Sequence, residues 1–315
     1  MTGRAAPPVH LVDASCYVFR AWFAVSAEMT DPDGAPVNAL YGFVRFLGDL
    51  LEQERPSHMA VAFDESLSRS FRSGIDPAYK ANREPAPPEL RRQFELCREA
   101  CRRFGLATFS SAQYEADDII GTLATRLRPH GHRAVVVTRD KDLAQLIREG
   151  DAFLDWSAER RLGYADIEGH FGVRPERMAD FLALAGDASD NIRGVPGIGP
   201  RTAAALLSTF ASLEEIYAGL TEVARLPIRG AAQLPERLRA HREDAWRARR
   251  LTTIACDMPL DVAPDDVARR APDLTALDDL YDRAGFGAAL RRQAARIEKG
   301  DAALFRAEKG KRPLL

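Results

Sequence analysis

Short apolar runs that each end in an acid recur through the first half of the chain. "VHLVD" ends at Asp13, "HMAVAFD" ends at Asp64 and "RAVVVTRD" ends at Asp140. Such short aliphatic and β-branched runs are typical of buried strands in a parallel sheet. Helical patterns lie between them, over about residues 40–54, 88–104 and 115–128. This alternation predicts an α/β fold with a mostly parallel central sheet flanked by helices.

The strand signals end in the middle of the chain, near residue 172. The residues from Val173 onward are mostly helical in pattern, with turns at "GVPGIGP" and "RLPIRGAAQLP". We therefore expect a first domain over residues 1–172 and a helical second domain over 173–315. The polar, basic and Pro-rich residues 63–88 are too many for an ordinary loop, which favours a functional segment there.

Composition and charge limit the class of protein. Of the 315 residues, 46% are hydrophobic and 29% are charged, which is ordinary for a globular protein. The formal net charge of -2 conceals basic clusters at 69–103, at 237–250 and from Arg291 onward, so a basic face and an acidic pocket are compatible with it. No apolar run approaches the ~18 residues of a membrane span, and the stretch "MTGRAAPPVH" lacks the apolar region that is typical of a signal peptide. Four cysteines without further soft ligands nearby indicate reduced thiols, so we expect a cytoplasmic protein.

Acidic side chains recur in five short stretches of the chain. In a parallel sheet, an acid directly after a strand faces the crevice where ligands bind. Three strands each supply such an acid, and "YEADDIIG", "TRDKD" and "GDASDN" add more. The candidate set has nine members: Asp13, Asp64, Glu115, Asp117, Asp118, Asp140, Asp142, Asp187 and Asp190. A simpler explanation for the middle motif remains open, because acids are favoured in the first turn of any helix.

Carboxylates that share one crevice favour a divalent cation. Like charges a few ångströms apart otherwise force some of the acids to become protonated. Hard oxygen ligands suit Mg²⁺ or Mn²⁺, and the lack of histidines near these motifs argues against zinc. A pair of such ions is an established solution for phosphodiester hydrolysis. The sequence therefore predicts a two-ion hydrolytic site.

Seven stretches occur in an order that is specific to one family. They are "LVDASCYVFRAWFA", "VAFDESLSRSFR", "YKANREPAPPEL", "YEADDIIGTLA", "VTRDKDLAQLI", "GDASDNIRGVPGIGPRTAAALL" and, weakly, "LTTIACDMPLDV". With them the chain resembles the 5′→3′ exonuclease and flap endonuclease family, in particular the N-terminal nuclease domain of bacterial DNA polymerase I and its stand-alone relatives of the exonuclease IX kind. The resemblance implies a PIN-like nuclease core with a helical arch over about residues 65–90. It also implies a helical DNA-binding subdomain with a helix–three-turn–helix element at residues 194–203.

The resemblance implies roles for individual residues. It divides the nine acids into a first metal group of Asp13, Asp64, Glu115, Asp117 and Asp118, and a second of Asp140, Asp142, Asp187 and Asp190. Lys80 and Arg83 match positions that act on the scissile phosphate, and Tyr79 matches one that stacks on a base. Arg20 and Arg72 match basic positions that contact DNA.

The glycines of "GVPGIGPRTA" allow a tight turn between two helices. Gly197 and Gly199 suit the turn, and Thr202 belongs to the next helix, whose free N–H groups can bind a phosphate. A glycine-rich helix–helix turn without a ligand is the alternative. The family resemblance implies DNA binding here and a K⁺ ion held by main-chain carbonyls, with Arg201 where a lysine is usual.

Two features depart from the family pattern or lie beyond it. Arg139 replaces a small residue before the acid pair Asp140 and Asp142, and the sequence leaves open whether it disturbs metal binding, pairs with phosphate or faces solvent. Residues 288–315 match no motif, and we expect a basic, solvated tail there rather than a DNA contact.

The leading hypothesis is a metal-dependent 5′→3′ exonuclease or 5′ flap endonuclease. It would act as a monomer, without a membrane, on branched or flapped duplex DNA or on RNA-primed 5′ ends. One alternative is a flap-binding protein whose nuclease is silent, which only Arg139 favours. Another is a small acidic-site endoribonuclease, against which the chain length and the hairpin argue. The sequence does not decide between exonuclease and flap endonuclease action, nor which polymerase or ligase hands over the substrate.

Overall fold

The computed structural model describes residues 6–65 and 70–309, with side chains as far as Asp301. Residues 66–69 of the expected arch and residues 310–315 of the expected tail lie outside the described residues.

Six strands form one sheet in the order β3-β2-β1-β4-β5-β6. The strands are β1 (Val9–Asp13), β2 (His58–Asp64), β3 (Ala107–Ser111), β4 (Ala134–Val137), β5 (Ala152–Asp155) and β6 (Arg160–Gly163). All neighbouring pairs are parallel except β5 with β6. The predicted α/β fold with a mostly parallel sheet is therefore confirmed. The chain builds outward from β1 to β3 and then returns to place β4 on the other side of β1, which creates the switch point where such sheets bind ligands.

Thirteen α-helices occur in the described part of the chain. They are α1 (Ala14–Ala24), α2 (Asn38–Glu54), α3 (Pro88–Arg103), α4 (Ala116–Leu127), α5 (Tyr164–Phe171), α6 (Met178–Ala185), α7 (Pro200–Thr209), α8 (Leu213–Ala218), α9 (Leu220–Val223), α10 (Leu234–Ala240), α11 (Arg242–Thr252), α12 (Leu274–Arg283) and α13 (Ala288–Lys309). The three helices predicted in the first half correspond to α2, α3 and α4 within two residues at each end. Among the described residues no strand follows β6, as the fading strand signals predict.

The expected arch is not α-helical in its described part. Between residues 70 and 87 the chain forms a 3₁₀ helix at Phe71–Gly74 and then turns. Pro77, Pro85 and Pro87 interrupt helical hydrogen bonding in this stretch, and Gly74 weakens it further. The helical arch predicted over 65–90 is therefore wrong for residues 70–87, and α3 begins only at Pro88.

The last two helices pack on helices that flank the sheet. Leu277, Leu290 and Ile297 share one apolar cluster with residues of α1, α2 and α3. Gln293 donates a hydrogen bond to Asp49 on α2 at 2.8 Å. The solvated tail predicted from residue 288 is therefore wrong as far as Asp301, because α13 has an apolar face that the sheet-flanking helices bury. The division at residue 172 stays a prediction.

None of the helices within residues 6–65 and 70–309 combines the length and the apolar character that crossing a bilayer requires.

Candidate active site

Three acids meet where the central strands end. Asp13 closes β1, Asp64 closes the neighbouring β2, and Asp140 follows β4 on the other side of β1. Thr138 links two of them, because its Oγ1 donates to Asp13 Oδ2 at 2.9 Å and accepts from the Asp140 N–H at 2.9 Å. The position that parallel pairing predicts for these acids is thus confirmed for this trio.

The acids at this edge repel one another strongly. Burial, followed by the charges of Asp64 and Asp140, raises the pKa of Asp13 to about 7. Burial and the charges of Asp140 and Asp13 raise the pKa of Asp117 well above its usual range. Asp140 is open to solvent at the mouth of the crevice, yet the protein atoms around its carboxylate displace enough water to raise its pKa as well. These carboxylates are more numerous than the positive groups that face them, so a cation is favoured here.

Helix α4 separates the three acids of its first turn into two directions. Glu115 is the N-cap residue directly before the helix, and its N–H donates to Asp118 Oδ2 at 3.0 Å. Asp117 points instead toward Asp13 and Asp140, whose charges act on it. The capping explanation therefore holds for Asp118 and the crowding explanation for Asp117, whereas the side chain of Glu115 meets Lys80.

Arg72 and Asp118 form a buried ion pair. Both guanidinium Nη atoms lie 2.7 Å from the carboxylate oxygens, and Arg72 is 3% exposed. Arg72 also donates to the carbonyls of Leu251 and Thr253, and Asp118 also accepts from the Ala255 N–H at 2.8 Å. The predicted DNA contact by Arg72 is wrong for this structure, because its guanidinium is enclosed. The predicted metal ligation by Asp118 lacks support, since both of its oxygens already accept two hydrogen bonds.

The basic residues of the arch lie against the acids. Lys80 Nζ is 2.5 Å from Glu115 Oε2 and 3.7 Å from Asp190 Oδ2. Tyr79 donates its hydroxyl hydrogen to the same two carboxylates, at 3.1 and 3.2 Å, and Arg83 pairs with Asp190. Burial opposes the charge on Lys80, but Glu115 and Asp190 outweigh it and raise the pKa of the lysine. Tyr79 is 8% exposed in this state, so its ring is covered rather than open for stacking.

Lys141 lies between Asp187 and Asp142 and interacts with both. It was not among the predicted site residues. It pairs with Asp187 and lies 3.3 Å from Asp142 Oδ1. Burial and the charge of Asp140 nevertheless raise the pKa of Asp142 to about 8. Asp187 also accepts from the Ser189 N–H at 2.8 Å, and the pKa of Asp187 is lowered because Lys141 and Ser189 outweigh its burial. The lysine between the two aspartates of "DKD" was the available sequence signal.

The carboxylate oxygens of the site are suitable ligands for hard divalent cations, although they do not converge on a single point in this structure. In the described ranges no three His, Cys, Asp or Glu side chains converge tightly enough to ligate a single ion as they stand. The ammonium groups of Lys80 and Lys141 occupy the space between carboxylates instead. Carboxylates with raised pKa and only oxygen donors nonetheless match the preference of Mg²⁺ and Mn²⁺.

The hairpin joins α6 to α7 directly after Asp190. Gly197 has φ +81°, and a side chain there would collide with the guanidinium of Arg237. Gly199 precedes α7, and nothing lies within 4 Å of where its side chain would be. Arg201 is exposed and Thr202 is half-buried in the first turn of α7. The described geometry leaves the N-terminus of α7 accessible, with Arg201 and Arg237 exposed beside it.

Two further predicted positions face solvent. Arg20 is exposed near the end of α1, which leaves it free to meet a phosphate. Arg139 is also exposed, and among the described residues it forms no ion pair with the neighbouring acids. Of the three possibilities that the sequence left open for Arg139, exposure to solvent is the one that this structure shows.

Comparison with family models identifies the chain. Residues 8–172 match the 5′-3′ exonuclease N-terminal resolvase-like domain, and residues 173–275 match the 5′-3′ exonuclease C-terminal SAM fold. The chain belongs to the 5′-3′ exonuclease family. This family assignment confirms the resemblance carried by the seven sequence stretches.

Relatives of this 5′-3′ exonuclease family member include longer proteins. The DNA polymerase I of Bacillus caldotenax is 38% identical over 284 residues, covering 88% of this chain and 31% of that protein. The DNA polymerase I of Pseudomonas aeruginosa is 40% identical over 275 residues, covering 87% of this chain and 30% of that protein. The chain thus spans about a third of the length of the curated relatives it matches.

Solved structures share the fold. A T5 5′-exonuclease with bound zinc ions matches with a TM-score of 0.62 at 20% identity, covering 93% of this chain and 98% of that one. The catalytic core of Rad2 in complex with DNA substrate matches with a TM-score of 0.62 at 15% identity, covering 93% of this chain and 94% of that one. At these sequence identities the comparison establishes only that this chain and the two solved structures share a fold.

Proposed function

We propose that the protein is a metal-dependent 5′→3′ exonuclease and structure-specific 5′ flap endonuclease. The observation that carries this proposal is the group of Asp13, Asp117 and Asp140 beside the basic residues of the arch, where burial and neighbouring carboxylates raise the pKa values of all three. Family membership and the DNA and metal complexes of the fold neighbours support it. Phosphodiester hydrolysis in branched or 5′-ended DNA uses both features.

The first role of the chain is to hold two divalent ions, Mg²⁺ or Mn²⁺. Asp13, Asp64, Asp117 and Glu115 would hold one, and Asp140, Asp142, Asp187 and Asp190 would hold the other. When bound, such ions acidify water and neutralise charge that develops on the phosphate. Lys80 and Lys141 must leave the carboxylates for this binding to occur, and their ammonium groups are then free for phosphate oxygens.

Lys80 and Arg83 would stabilise negative charge on the transferring phosphate. Both side chains project from one turn beside the acids, so they lie next to the phosphate that the bound ions would hold. A cavity of about 600 Å³ opens next to them, lined by Phe19, Phe94 and Arg98 among others. Its wall carries four acidic and four basic side chains, and its two phenylalanines and its arginines suit a single strand, because bases stack on aromatic rings while arginines meet the backbone.

The hairpin and Arg20 would hold the duplex. The first turn of α7, with Gly199 and Arg201, offers backbone N–H groups and a positive charge to a phosphate without reading sequence. We include K⁺ at residues 194–203 and acceptance of RNA-primed 5′ ends in this proposal. We also propose that the protein acts as a monomer in the cytoplasm, where its four free thiols would persist.

Cleavage of a labelled 5′-flap duplex with Mg²⁺, followed by sizing of the products, tests this function. Asp13→Asn and Asp117→Asn should each lower kcat about a hundredfold or more, the scale on which one preorganised charge acts. Asp261→Asn replaces an exposed acid outside the site and is the matched control. Flap binding without any turnover in Mg²⁺ or Mn²⁺ would favour the silent DNA-binding alternative instead, and faster cleavage of an RNA flap than of a DNA flap would favour a ribonuclease.

A further inference from the structure

Two short segments from distant parts of the chain dock on each other beside the acids. One is the lysine turn, residues 78–83, and the other is the aspartate loop, residues 187–191. The N–H of Lys80 donates to the carbonyl of Asp190 at 2.9 Å. The dock therefore joins the backbone of the proposed catalytic lysine to the backbone of a proposed metal ligand.

Two asparagines complete this dock from opposite sides. Asn191 Nδ2 donates to the carbonyl of Ala78 at 2.7 Å, and Asn82 Nδ2 donates to the carbonyl of Ala188 at 3.2 Å. Each asparagine thus reaches from its own segment to the backbone of the other. Neither side chain contacts the carboxylates, so neither belongs to the site already described.

The lysine turn adopts a backbone that requires support. Lys80 has φ +54°, in the left-handed region that a long side chain rarely adopts. Such a conformation persists when the surrounding structure imposes it. The groups that impose it here are the Asp190 carbonyl and the two asparagine amides. Asn191 is itself left-handed, with φ +56°, which asparagine tolerates better than most residues.

The conformation of the turn determines where its cations lie. Lys80 reaches Glu115 at 2.5 Å from this backbone, and Arg83 reaches Asp190 from the other end of the turn. A change of φ at Lys80 would redirect both side chains. Catalysis is sensitive to shifts of about 1 Å in such groups.

We propose that Asn82 and Asn191 are positioning residues that hold Lys80 and Arg83 in register with the acids. This inference rests on the proposed nuclease function. It assigns the asparagines no contact with the phosphate, so their effect on cleavage must pass through Lys80 and Arg83.

A double-mutant cycle on 5′-flap DNA tests the proposal. Asn191→Gly removes the amide but still permits the left-handed backbone, and Asn82→Ala removes the second amide. Each should lower the single-turnover rate constant of cleavage about tenfold and leave KM within about twofold. In a background that carries both Lys80→Ala and Arg83→Ala, Asn191→Gly should change this rate constant by less than about twofold, since residues that act as a unit are not additive.

Hydrogen exchange gives a second readout that does not depend on activity. The Lys80 amide should exchange faster in Asn191→Gly than in the wild type, while the urea midpoint of unfolding stays nearly unchanged because both asparagines are exposed. Gln113→Ala, which removes another exposed amide side chain, is the matched control.

The outcomes separate this inference from the function on which it rests. A wild-type protein that cleaves no flap in Mg²⁺ or Mn²⁺ overturns the nuclease proposal. If the wild type cleaves but the loss from Asn191→Gly multiplies independently with the loss from the combined Lys80→Ala and Arg83→Ala changes, or if Asn191→Gly alters KM alone, only the positioning role is overturned. Unchanged exchange at Lys80 has the same consequence.

Discussion

The carboxylate of Asp118 accepts a hydrogen bond from each Nη atom of Arg72 at 2.7 Å, and both side chains are buried. The burial of Arg72 works against its charge, but the hydrogen bonds and charge of Asp118 outweigh it and raise the pKa of the guanidinium. The pair ties the start of the arch to α4, and through Leu251 and Thr253 it also ties the arch to the end of α11.

Removing one partner of this pair should destabilise the protein. Arg72→Ala leaves the Asp118 carboxylate buried without its cation, and a loss of about 3–5 kcal/mol in the free energy of unfolding is expected. Urea denaturation measures it. The control is Arg174→Ala, which breaks an exposed pair with Glu168 and should leave the urea midpoint nearly unchanged. Equal losses in both variants would contradict a structural role for the buried pair.

The metal-free protein should become less stable as the pH rises. The pKa of Asp13 is raised to about 7 and that of Asp142 to about 8, so below these values the folded protein binds protons that the unfolded chain, with an aspartate pKa of 3.8, has released. Their contribution is complete below pH 3.8 and is lost as the pH rises through about 7 and 8. Urea unfolding in EDTA at several pH values measures this loss.

Asp13→Asn is the control for the pH effect. It removes one titrating group, so the fall in the free energy of unfolding between about pH 5 and about pH 9 should become smaller. Saturating Mg²⁺ should flatten the dependence in the wild type, because bound cations favour the ionised acids. If the free energy of unfolding in EDTA stays constant or rises with pH, the prediction is wrong and positive groups must compensate these acids.

Lys141→Ala should strengthen divalent cation binding. The ammonium group competes for Asp187 and Asp142, but Lys141 is 43% exposed, which limits the strength of the pair. A gain of about two- to fivefold in Mn²⁺ affinity is expected, since exposed ion pairs contribute less than about 1 kcal/mol. Calorimetric titration measures it, with the exposed Lys299→Ala as control. Weaker binding in Lys141→Ala would indicate that the lysine supports the ion site.

Two glycines of the hairpin should differ sharply in their tolerance of alanine. A Cβ at Gly194 would lie 2.3 Å from the N of Gly186 and 2.4 Å from the carbonyl oxygen of Leu184, and this backbone cannot move aside easily. Gly194→Ala should therefore cost about 2 kcal/mol or more. Gly199→Ala meets nothing within 4 Å and should change the urea midpoint little. Similar midpoints for the two variants would refute the close packing of this turn.

The sequence predicted the parts of the site that depend on local periodicity. Short apolar runs ending at Asp13 and Asp64 identify strand ends, and parallel pairing brings strand ends to one edge whatever the loops do. The position of Arg72 was not predictable in this way, because a lone arginine in a polar segment has the same local signal whether it meets DNA or Asp118. The packing of α13 was missed for a similar reason. Basic residues dominate the local pattern of this helix, and its apolar face is recognised only from its contact with α2.

The chain by itself determined the alternation of strands and helices around Asp13, Asp64 and Asp140 and the family, because these depend on spacing and residue type within short windows. Tertiary structure alone decided how the charges pair: Lys80 with Glu115, Lys141 with Asp187, and Arg72 with Asp118. The physical reason is that Coulomb attraction and burial depend on distances in space. Partners separated by 35 or more positions along the chain leave no trace in its local pattern.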